Sequence, residues 1–113
     1  MENLNRVELR GVVGNVRVQN AADRKVYHVA LATSRAYKDR NGNAIIETTW
    51  HQIVLWDNFA DLSKIEKGTK LYVCGRIRNQ KYTNSADEPR QVFEVVANKM
   101  QIIDTSEPLQ YEM

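Results

Sequence analysis

The chain has a single cysteine, Cys74, and only two histidines, His28 and His51, in 113 residues. One thiol cannot close an intramolecular disulfide, so no covalent staple holds the fold, and the composition fits a reducing compartment. Cys74 with either histidine as its base is the one nucleophile pair that could be drawn. Cys74 lies between Val73 and Gly75 in an alternating stretch, however, where cysteine is usually a buried apolar residue. Two histidines and one cysteine on separate segments also lack metal-ligand spacing. Neither type of glycine-rich nucleotide-phosphate loop is present. No enzyme, metal or cofactor is expected. No apolar run approaches the roughly 18 residues of a membrane span, and the opening "MENLNRVELRG" has no apolar leader segment. A cytoplasmic protein is expected. Internal repeats and low-complexity segments are missing too.

What is there is an ordinary globular composition, with 42% hydrophobic and 27% charged residues. The length suits one domain with a real core. The net charge of +2 hides an asymmetry: residues 1–85 carry 14 Lys/Arg against 8 Asp/Glu, and residues 86–113 carry 2 against 6. A basic body with an acidic end favours a polyanion on one surface, although many charge clusters are simply solvated faces.

Five segments read as strands. The first runs from about Arg6 to Gln19, with Val7, Leu9 and Val13 at one parity and Gly11 and Gly14 as bend or bulge points. The second, Lys25 to Tyr37, sets Tyr27, Val29 and Leu31 against Ala30 and Ala32. Asn41-Gly42 is a hairpin signal, since both residues tolerate positive φ. The third strand, Ile45 to Trp56, returns from it. Phe59, Leu62 and Ile65 then suggest a helix of about two turns, capped by Asn58 and closed by Gly68. In "TKLYVCGRIRNQKY" Leu71, Val73, Gly75 and Ile77 alternate against Tyr72, Cys74, Arg76 and Arg78. A polar loop leads to the fifth strand, Arg90 to Ile103. Long strands in a short chain favour a closed barrel, and a helix between strands 3 and 4 is the order of an OB-fold.

The third strand contains "TTWHQIVLW". Trp50 and Trp56 share parity with Gln52 and oppose Ile53 and Leu55, so both tryptophans lie on the less apolar face. Tyr82 repeats the pattern with Arg76, Arg78 and Lys81, and Tyr37 with Lys38 and Arg40. Flat rings offer nucleobases a stacking surface and cations meet phosphates, which is how single-strand grooves are built. Cross-strand packing is the plainer role for any one of these rings. Recurrence at three places favours nucleic acid.

"NRVELRG" (5–11), "VALATSRAYKD" (29–39), "ETTWHQIVLW" (47–56), "IEKGTKLYVCGRIRNQKY" (65–82) and "VFEVVANKMQII" (92–103) together resemble the bacterial single-stranded DNA-binding proteins. The resemblance implies an all-β, five-stranded OB-fold over residues 1–105, assembled as a homotetramer. Its implied task is to bind and protect single-stranded DNA, whatever its sequence, in replication, recombination and repair, at the nucleoid. It places base-stacking rings at Tyr37, Trp50, Trp56 and Tyr82, and phosphate contacts at Arg6, Lys38, Arg40, Arg78 and Lys81. Arg10 and Arg76 join these by parity and neighbourhood, and His51 matches a histidine near a subunit contact.

The departures are specific. Tyrosine replaces tryptophan at two stacking positions, Gln52 and Gln80 replace cations, and Asp57-Asn58 occupies a stretch that is often basic. Fewer phosphate contacts mean a shallower salt dependence. "QNAADRKV" is shorter than the usual first loop. Residues 106–113 form a short tail in place of the long segment with an acidic tip that recruits replication and repair proteins, so a short form without that route is expected. Two rival readings remain: a primosomal-type accessory factor acting through protein contacts, and an OB module for RNA.

Overall fold

Alternating apolar residues build five strands, each longer than its apolar centre. A computed structural model of the protein describes residues 1–103. The strands are β1 (Val7–Ala21), β2 (Arg24–Lys38), β3 (Ala44–Trp56), β4 (Lys70–Thr83) and β5 (Pro89–Ile102). They close into a barrel in the order β1-β2-β3-β5-β4. All neighbours are antiparallel except the short β3–β5 contact. A five-stranded closed barrel of this order is the expected OB-fold, and closure removes the exposed strand edges.

Period-two burial fills the interior with Val13, Val29, Leu31, Ile53, Leu55, Leu71, Val73 and Val95. Two bulges bend the strands. On β1, Val13 pairs with Leu31 but Asn15 with Ala30, so Gly14 is the extra residue and the inward set passes from Val13 to Val16. On β5, Lys99 faces Cys74 while Ala97 faces Gly75, so Asn98 is extra.

The segment between β3 and β4 corrects one expectation. It forms no two-turn α-helix and Asn58 caps nothing; a lone 3₁₀ turn, η1, spans Leu62–Lys64. Phe59, Leu62 and Ile65 are spaced by three, the period of a 3₁₀ turn and not of an α-helix. Asp61 at φ 65° stands just ahead of η1 in the left-handed region, which stops helix from extending backwards. Leu62 and Ile65 still bury, each 6% exposed, and Phe59 packs against the same core.

The β2–β3 and β4–β5 hairpins run past the barrel's end. Ile77 keeps the facing of Leu71 and Val73 yet is 48% exposed, although its cross-strand partner Val95 is still buried in the core. The two hairpin loops share one design. The Asp39 carboxylate accepts the Asn41 and Asn43 amides at 2.9 Å, and the Gly42 amide reaches the Asp39 carbonyl. The Asn84 side chain likewise accepts the Ala86 and Glu88 amides, and the Asp87 amide reaches the Asn84 carbonyl. Gly42 at φ 80° and Asp87 at φ 58° fill the equivalent left-handed position, and Asn41 has no positive φ.

Candidate nucleic-acid interface

The uninterrupted β2–β3 register places Trp50 opposite Ala32 and Trp56 opposite Val26, on the outer face of the barrel. Trp50 is 57% exposed. The outer edge of its six-membered ring abuts Gly14, where an added Cβ would fall 2.5 Å from Cζ3 and Cη2. The bulge glycine thus leaves room for the edge of the indole, which a side chain at that position would push away. Trp56 is half-buried, beside Val26 and Val54 at 5% and 2% exposure, and the Arg24 guanidinium lies 4.9 Å above its ring.

Tyr82 is 50% exposed and shares a face of β4 with Arg76 and Arg78. Arg76 is exposed, opposite Val96. Arg78 is not a loose cation: its Nε donates to Glu94 Oε1 at 3.1 Å, and Nη2 pairs with the same oxygen. Glu94 is 8% exposed and opposite Arg78, so the pair is set by register and half shielded. His28 sits near this pair. Burial, then the Arg17 charge, push its pKa below the usual value, and its ring bonds to Gln19 at 3.0 Å.

On β1, Arg10 pairs across to Tyr72 and its guanidinium stands 5.9 Å from that ring. The Tyr72 hydroxyl donates to Glu8 at 2.5 Å, and this bond raises the phenol's pKa. Arg6 lies just before β1, 3.7 Å from Glu8. Lys38 is exposed at the end of β2, on the tryptophan face, and Arg40 is exposed in the loop. Tyr37 and Lys81 differ. Opposite parity turns Tyr37 to the other face of the β2–β3 ribbon from the tryptophans, with Arg35 5.3 Å over its ring. Lys81 likewise faces away from Tyr82. Because both ribbons overhang the barrel, these residues are exposed all the same, Tyr37 at 39%.

His51 turns to the core side of β3 and is half-buried. Its Nε2 lies 2.8 Å from the Thr33 hydroxyl, and burial lowers its pKa. Neither histidine bonds Cys74, which is buried. Among the described residues, no cluster of three or more His, Cys, Asp or Glu side chains is fit to hold a metal ion, and no helix is long and apolar enough to cross a membrane.

Arg24, Arg35, Tyr72 and the contact of Gly14 with the Trp50 ring escaped the sequence reading. Arg24 is near Trp56 only through strand pairing, across 32 residues of chain, and no local pattern signals it. Tyr72 was legible only as a ring alternating with Arg76; its place opposite Arg10 depends on strand register.

Fold and site together define an OB-fold binding module that displays flat rings and cations on its outer surface. The chain belongs to the single-strand binding protein family, whose model matches residues 4–103. It is similar to single-stranded DNA-binding protein 1 of Chlorobaculum tepidum, 34% identical over 105 residues that cover 88% of this chain and 65% of that protein. A single-stranded DNA-binding protein of Neisseria meningitidis serogroup A is 32% identical, with 88% of this chain and 60% of the relative covered. The chain therefore spans somewhat less than two thirds of these relatives. Among solved structures, the Plasmodium falciparum SSB in complex with single-stranded DNA superposes with a TM-score of 0.69 at 34% identity, covering 91% of this chain and 96% of that one. A Thermus aquaticus single-stranded DNA-binding protein shares the fold, with a TM-score of 0.75 at 20% identity, covering 91% of this chain and 52% of that one.

Proposed function

We propose that the protein binds and protects single-stranded DNA without regard to sequence, serving replication, recombination and repair. The observation that carries this is Trp50: a large indole, 57% exposed, on the outside of a closed barrel, with the Cζ3–Cη2 edge of its ring set against Gly14. A ring placed for packing would be covered; this one is held at its edge and left more than half exposed. Trp56 and Tyr82 extend the stacking surface, and Tyr37 adds an exposed ring on the other face of the β2–β3 ribbon. Arg6, Arg10, Lys38, Arg40, Arg76, Arg78 and Lys81 supply the phosphate contacts. Stacking is tolerant of base identity because every base has a π-face. The likeness to a structure solved with single-stranded DNA supports the same ligand.

Assembly as a homotetramer belongs to this proposal, with His51 near a subunit contact and the protein working at the nucleoid. Ile77 and Phe93, 48% and 60% exposed on one face of the β4–β5 ribbon, are apolar surface that a second copy would cover. Light scattering should then give a mass of four chains, and a monomer at micromolar concentration contradicts the assembly. Binding is tested by fluorescence anisotropy with labelled oligo(dT) and the matching duplex at two salt concentrations. Preference for the single strand, weakened by salt, is expected; equal affinity for duplex would overturn the reading.

A further inference from the structure

Arg24, Trp56 and Asp57 form a unit of which only Trp56 is among the stacking and phosphate positions above. β1 ends at Ala21 and β2 begins at Arg24, so a tight turn at Ala22 and Asp23 delivers Arg24 to the edge of the outer face. Its side chain folds back along that face until the guanidinium carbon is 4.9 Å from the centre of the Trp56 ring. Asp57 holds it there with a division of labour between its oxygens. Oδ2 accepts the Lys25 amide at 2.9 Å, which anchors the carboxylate to β2, and Oδ1 accepts Arg24 Nε at 3.0 Å. Those two bonds, the backbone one first, keep the Asp57 pKa below the ordinary carboxylate range.

Two consequences follow from this geometry. The pair is exposed, with side chains 53% and 36% accessible, so it is a weak tether that a competing anion can replace. Only Nε is engaged; among the described residues, neither terminal nitrogen of Arg24 has a hydrogen-bond partner. A guanidinium in that state presents its planar donor fork, the group best matched to two phosphate oxygens. It also occupies ring surface that a base would need.

We propose that Arg24 is a phosphate-binding residue kept over Trp56 by Asp57, and that an incoming strand draws it from the carboxylate to a phosphodiester while a base takes the vacated ring. This rests on the single-strand reading above. In the free protein the arrangement neutralises a cation and shields an indole. In the complex both are released for use at the same step of the strand, and the Asp57 carboxylate opposes that release.

The test is a double-mutant cycle with oligo(dT): the natural chain, Arg24→Gln, Asp57→Asn and both together, each titrated over a range of salt. Arg24→Gln is expected to reduce the slope of log K against log salt by about 0.7, the value of one lost single-strand phosphate contact. Asp57→Asn is expected to tighten binding roughly threefold or more where Arg24 is present, and by much less beside Arg24→Gln. A general charge effect gives the same gain in both backgrounds, and that additivity would overturn the proposal. So would an Arg24→Gln protein with the natural salt slope. Should Arg24→Gln fail to fold, Asp57→Asn alone still decides, because unchanged or weaker binding contradicts the exchange. If the natural chain does not bind oligo(dT), the single-strand reading fails; if it binds and the cycle is additive, only the role of Arg24 fails.

Discussion

Trp50 carries the argument at the scale of single residues. Its exposure means that removing it uncovers little core, so Trp50→Ala should weaken oligo(dT) binding by about 1–3 kcal/mol while the melting temperature stays close to that of the natural chain. Calorimetry and a binding isotherm on one preparation check both halves; a large drop in melting temperature would make the ring a packing residue. Gly14→Ala tests the contact at the ring's edge. The added methyl would lie 2.5 Å from the indole, so the ring must lift or slide. The expected outcome is a folded protein with a shifted Trp emission maximum and weaker binding, and unchanged emission would mean that the ring does not rest there. Much of this site was legible in the chain. Parity alone put Trp50 and Trp56 on the outer side, because β3 runs without a bulge against β2. The Arg24–Trp56–Asp57 unit was not legible, since it depends on where β1 turns into β2. Nor was the ion pair of Arg78, which looks like a free cation until register sets Glu94 opposite it.

At the scale of elements, loops and turns decide how far the strands project. The matched loops at 39–43 and 84–88 differ at the left-handed position, where one has Gly42 and the other Asp87. A side chain in that region costs roughly 1–2 kcal/mol, less for Asp than for most residues. Asp87→Gly should therefore raise stability by up to about 1 kcal/mol, read as a higher denaturation midpoint with an unchanged slope. A lower midpoint would show that the Asp87 side chain makes a contact worth more than its strain. The strands were legible because period-two burial is a strong signal, and the Asn41-Gly42 pair marked its hairpin correctly. Its stated reason was only half right: Gly42 takes the positive φ, while Asp39 organises the turn. The η1 turn was misread for a definite reason. Phe59, Leu62 and Ile65 recur every three residues, which looks like one face of a helix, yet nothing in local propensity announces that Asp61 turns left-handed ahead of it.

For the whole molecule, the closed barrel fixes which groups titrate with folding. Burial lowers the pKa of both His28 and His51 below the usual 6.5. An imidazole with a lowered folded-state pKa takes up its proton more readily in the unfolded chain. Its contribution to stability is complete above about pH 6.5 and declines as the pH falls from there towards the folded-state value. Asp57 acts lower on the scale: with its pKa depressed, its contribution is complete above the ordinary carboxylate range and is lost as the pH falls from there towards the folded-state value. The melting temperature should therefore fall between pH 7.5 and pH 5, and His51→Gln should flatten that fall. A melting temperature that rises over the same interval contradicts the burial assigned to these rings.

The central claim is that a base stacks on the open face of Trp50. It is tested most directly in the Trp56→Phe protein, where Trp50 is the only indole, by titrating its emission with oligo(dT) while anisotropy reports binding. Emission should be strongly quenched in step with binding. Saturated binding that leaves the Trp50 emission unchanged would contradict the account.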